Sequence, residues 1–134
     1  MTETQEVDDD ALVLRRVVPQ HKVPVIDREN TFRVSSAAFT DSSDGSGMSV
    51  VIKPIADALG LGPEDVIDGY APGCGLVSLV TGDLRADDQT VAHDPVVREK
   101  PHPCDPAHGS VVRAKPKGRV RKWARSAVWV LIPS

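Results

Sequence analysis

The stretch Lys117-Gly-Arg-Val-Arg-Lys-Trp-Ala-Arg-Ser-Ala-Val-Trp-Val-Leu-Ile132 changes its hydrophobic period halfway along. Val120, Trp123, Ala124 and Ala127 recur at i, i+3, i+4, i+7, the spacing of one helix face. Ala127 to Ile132 is then continuously apolar and rich in β-formers, and Pro133 ends it. The reading is a helix over 117–126 running into a closing strand over 127–132. One short helix set between short strands is the unit from which the rest of the fold is expected.

Upstream, Ala11 to Val18 reads as a first strand ended by Pro19, and Val23 to Ile26 as a short extended piece. Phe32 to Phe39 reads as a strand whose alternation breaks near its end. Thr40 to Gly47 is a polar turn carrying Asp44-Gly45. With strands on either side, at 32–39 and 48–52, it suggests a hairpin. Pro54 to Leu59 and Pro63 to Gly69 each begin with proline and end at glycine, the asymmetry of short helices. Leu76–Val80, Gln89–His93 and Gly109–Arg113 read as strands. One helical turn is expected between 82 and 88, and a proline-rich loop over 95–107. The expected class is α+β, a mostly antiparallel or mixed sheet of about six short strands with two to four short helices, because regular βαβ spacing is missing.

Length and composition agree with one domain. The chain has 134 residues, 40% apolar and 26% charged, which excludes a collagen, a coiled coil and a disulfide-dense toxin. No apolar stretch approaches the roughly 20 residues that cross a bilayer. Residues 1–10 are acidic and are expected to be a disordered leader, with the domain over 11–134. The start of the chain does not look like an export signal. Cys74 and Cys104 are therefore read as free thiols, and the expected location is cytoplasmic.

The net charge of −3 hides a polarised chain. Residues 113–134 carry Arg113, Lys115, Lys117, Arg119, Arg121, Lys122 and Arg125 and no acid. Clustered cations of this kind suit phosphate, and nucleic acid or a nucleotide is the expected partner. No cofactor is expected. A second candidate is an Arg/Ser anion pocket, from Arg15 or Arg16 on the first strand and Ser35 and Ser36 beside Arg33 on the next. His93 and His108 are candidate general bases, His108 standing at the mouth of a strand. His102, Cys104 and His108 hold metal-capable atoms, with His93 or Cys74 as a fourth. Their spacing matches no standard zinc pattern, and no metal is expected.

Leu14-Arg-Arg-Val17, Arg33-Val-Ser-Ser-Ala-Ala-Phe39, Met48-Ser-Val50, Ala92-His-Asp-Pro95, Pro106-Ala-His-Gly109 and the end Arg121-Lys-x-Ala-Arg-x-Ala-x-Trp-Val130 resemble a family of small bacterial proteins. The resemblance covers most of residues 12–130 and implies no activity. An early Arg followed by a strand with paired Ser is also similar to the ADP-ribosyltransferase-like toxins. Their tryptophan–asparagine turn and catalytic Glu have no clear counterpart in this chain.

Three function classes follow. The first is a binding or accessory module that contacts an anionic partner through its basic end. The second is a small nucleotide- or phosphoester-processing enzyme with an Arg/Ser/His cleft. The third is a protein-binding adaptor, whose sign would be an exposed apolar patch.

Overall fold

In the computed structural model, residues 4–24, 32–41, 47–70 and 72–131 are described. Six strands form one antiparallel sheet: β1 (Leu12–Val17), β4 (Met48–Ile52), β5 (Gly75–Val80), β6 (Thr90–His93), β7 (His108–Val112) and β8 (Val128–Leu131). Their order is β6-β7-β4-β1-β5-β8. A separate two-stranded ribbon pairs β2 (Lys22–Pro24) with β3 (Phe32–Val34). The helices are α1 (Lys53–Ala58), α2 (Pro63–Val66), α3 (Thr81–Ala86) and α4 (Lys117–Ser126). This is the α+β class, and every strand pair is antiparallel.

The topology explains the missing βαβ rhythm. β4 and β5 both lie against β1, so the chain between them must cross over, and α1 and α2 fill that crossover. α3 packs on β5 and β6 and carries the chain to the opposite edge. α4 then brings it back to β8.

Alternation puts Val13 and Val17 of β1 with Met48, Val50 and Ile52 of β4 on the buried core face. Phe39 and Trp123 close that core, ring edge to ring face, with centroids 6.4 Å apart. Each is 1% exposed, so these two rings bury nearly all of their area.

Two sequence expectations are corrected. The strand expected over 32–39 stops at Val34. Ser35 then caps a short 3-10 turn, Ser36–Ala38, by accepting the Ala37 N–H on its hydroxyl. A side chain that satisfies its own backbone competes with the sheet ladder. The hairpin expected between 32–39 and 48–52 does not form, because β3 pairs with β2 while β4 pairs with β1 and β7. The Asp44-Gly45 turn lies outside the described residues.

The acidic leader, expected to be disordered, is tied down over its described part. Val7 is 5% exposed, the Gln5 N–H donates to His93 Nδ1 at 2.8 Å, and Asp9 pairs with Arg85 at 2.7 Å. Val7, the one apolar side chain among the described residues of this segment, finds a place in the core.

Candidate anion-binding cleft

α4 lies across the short 3-10 turn and β3 because its apolar stripe must be covered. Trp123 anchors it, and Val120, Ala124 and Ala127 pack beside the core. The polar side of the helix then flanks a cleft of about 590 Å³. Arg33, Val34, Ser35 and Ser36 line one wall, and Arg121, Ala124, Arg125, Ala127 and Trp129 the other. The volume falls within the range usual for small-ligand sites, about 300–1,000 Å³.

Among the described residues, three arginines and no acid line this cleft. Among the described residues Arg33, Arg121 and Arg125 have no carboxylate partner. Other basic residues of the C-terminal segment are already neutralised. Lys115, 6% exposed in its side chain, pairs with Asp41 and donates to the Val111 and Arg113 carbonyls. Arg119 meets Asp88 at 3.1 Å, and Lys122 meets Asp87 at 2.9 Å. Arg113 and Lys117 are exposed and lie outside the cleft, Arg113 reaching Thr90 Oγ1. The seven cations named from the sequence therefore divide, and two of them join Arg33, Ser35 and Ser36 in one place.

Arg15 and Arg16 do not join them. The Arg15 guanidinium donates to three main-chain carbonyls: Ala38 at 2.9 Å, Ser49 at 2.7 Å and Thr40 at 3.4 Å. It fills the place where the β1–β4 ladder ends after Leu14↔Val51. Burial, and then the neighbouring Arg16, lower its pKa. Arg16 follows it in an alternating strand and donates instead to the Val66 carbonyl at 2.6 Å, stacking over the Tyr70 ring at 4.4 Å.

The histidines are also dispersed. His93 is buried, accepting from Gln5 on Nδ1 and donating to the Pro106 carbonyl from Nε2, so both ring nitrogens hold the fold together. His102 accepts from the Cys104 N–H and donates to the Asp68 carbonyl. His108 contacts the Asp94 carbonyl at 2.7 Å and Ser49 Oγ at 3.1 Å. Among the described residues no three His, Cys, Asp or Glu side chains are grouped to hold a metal ion. Cys74 and Cys104 are buried free thiols, and burial pushes both pKa values up.

Two participants escape the sequence pattern. Trp129 reads there only as part of the core, and Ser49 does not stand out, because its partner His108 lies 59 residues away. No helix among the described residues is long and apolar enough to cross a membrane. Comparison with protein-family models, curated proteins and solved structures gives no match to the chain.

Proposed function

We propose that the protein is a binding module for a phosphate-bearing partner, a nucleotide or nucleic acid, which it holds in the cleft between β3 and α4. The observation that carries this reading is the grouping of Arg33, Arg121 and Arg125 with two serines, beside an indole and with no acid among the described lining residues. Guanidinium forks match phosphate oxygens two at a time, and serine hydroxyls add further donors. The Trp129 side chain gives a base an aromatic surface to lie against. No histidine lines the cleft, so this reading is of binding rather than phosphoester chemistry.

The test is fluorescence polarisation of a labelled single-stranded oligonucleotide and of a labelled nucleotide across a salt series. Three phosphate contacts on a single strand give a log–log salt slope of roughly −2. Binding that is absent at low salt, or indifferent to salt, contradicts the reading.

A further inference from the structure

Ser49, in the middle of the sheet, meets His108 on the adjoining strand. β4 and β7 pair with Ser49 opposite Ser110 and Val51 opposite His108, so His108 is the diagonal neighbour of Ser49 on one sheet face. Ser49 Oγ lies 3.1 Å from His108 Nε2. On the far side of the ring, Nδ1 is 2.7 Å from the Asp94 carbonyl oxygen, an atom that only accepts. The ring proton therefore sits on Nδ1. Nε2 is left with its lone pair towards the serine, and the hydroxyl donates to it.

Each member is held in place. The Asp94 N–H returns a bond to the His108 carbonyl at 2.8 Å. The Asp94 carboxylate is fixed by the Ser110 hydroxyl at 2.8 Å. The main chain of Ser49 is pinned by Arg15 at 2.7 Å. Both Ser49 and His108 are half-buried rather than sealed in the core. A hydroxyl, an imidazole that accepts its proton and a third group that orients the imidazole are the parts of an activated nucleophile.

We infer that Ser49 is an acyl-accepting nucleophile with His108 as its general base, acting on small neutral carboxylic esters. The electrostatics choose the substrate class. Arg15, the cation that touches Ser49, has its donors on three carbonyls, and the Asp94 carboxylate, held by the Ser110 hydroxyl, adds negative charge nearby on the strand residue opposite Ser49. An anionic phosphoester finds no free positive charge in this set, whereas a neutral ester meets no repulsion.

In the first step the Ser49 oxygen bonds to the ester carbonyl carbon while its proton passes to His108 Nε2. The carbon–alkoxide bond then breaks, and the alcohol leaves with that proton. In the second step a water gives its proton to Nε2 and attacks the acyl-serine. The acid is released, and Ser49 recovers its proton.

The experiment treats the full chain with a fluorophosphonate reagent and maps the modified residue by mass spectrometry. The reagent forms an oxygen–phosphorus bond and releases fluoride. Turnover of p-nitrophenyl acetate is followed in parallel. The expected result is a label on Ser49, slowed on the order of 100-fold or more by His108→Ala and kept in Ser126→Ala. Turnover is lost in Ser49→Ala. A label on another residue, no label, or an unchanged rate in folded His108→Ala overturns the assignment. Mapping on the unaltered chain gives an answer even where a variant does not fold.

Discussion

Trp123 donates its indole N–H to Asp87 Oδ2 at 2.8 Å, joining α4 to the end of α3. Lys122 takes the other oxygen of the same carboxylate at 2.9 Å. One aspartate thus holds two successive residues of α4, and the helix is set with Arg121 and Arg125 along the cleft.

The first prediction concerns pH. The hydrogen bond from Lys122, then that from Trp123, holds the Asp87 carboxyl below its ordinary value. A carboxyl with a lowered folded pKa stabilises the fold above the unfolded value, about pH 3.9, and that contribution disappears as pH falls through the folded value. The melting temperature is expected to drop below about pH 4. Asp87→Asn has no carboxyl to protonate, so it should start lower at neutral pH and lose less on acidification. Parallel curves for the two chains would remove Asp87 from the account.

The second prediction separates Arg15 from ligand binding. Its side chain donates to three carbonyls near the end of the β1–β4 ladder. Arg15→Met leaves them without donors, at a cost of roughly 2–4 kcal/mol by urea unfolding. Nucleotide affinity per folded molecule should be unchanged, since Arg15 is not part of the cleft. A variant of normal stability that no longer binds would show the opposite assignment to be right.

The third prediction tests the approach of the chain to β4. Gly47 has φ +92, and a Cβ there would stand 2.8 Å from the Val111 carbonyl oxygen. Both the left-handed backbone and the contact oppose a side chain. Gly47→Ala should therefore cost about 2 kcal/mol or more in chemical denaturation. A neutral substitution would mean that Gly47 does not hold this backbone conformation against Val111.

Hydrophobic periodicity alone makes most of the elements legible. The 3.6-residue stripe of Val120, Trp123, Ala124 and Ala127 marks α4, and the run at 76–80 marks a strand buried over nearly its whole length. Strand partners are harder to read. β4 follows β3 in the chain but pairs elsewhere, because pairing depends on which faces need cover and the local turn does not decide it.

The candidate site is legible only in pieces. Ser35, Ser36, Arg121 and Arg125 are each visible in the sequence as possible anion ligands, but they belong there to two separate candidates. Their union depends on α4 lying over the 3-10 turn, a contact spanning about two-thirds of the chain. Nor does charge counting show which cations are already neutralised. Lys115, Arg119 and Lys122 look like Arg121 and Arg125 in the sequence until Asp41, Asp88 and Asp87 are placed beside them.

The most direct measurement compares two double variants that remove equal charge from the same segment. Arg121→Gln with Arg125→Gln empties one wall of the cleft, and Arg113→Gln with Lys117→Gln removes two exposed cations outside it. Affinity for a single-stranded oligonucleotide is measured for both across a salt series. The cleft account predicts that the first pair weakens binding at least about tenfold and flattens the salt slope by roughly 1.4, while the second leaves both nearly unchanged. Equal losses from the two pairs would mean that diffuse charge, and not the cleft, binds the partner.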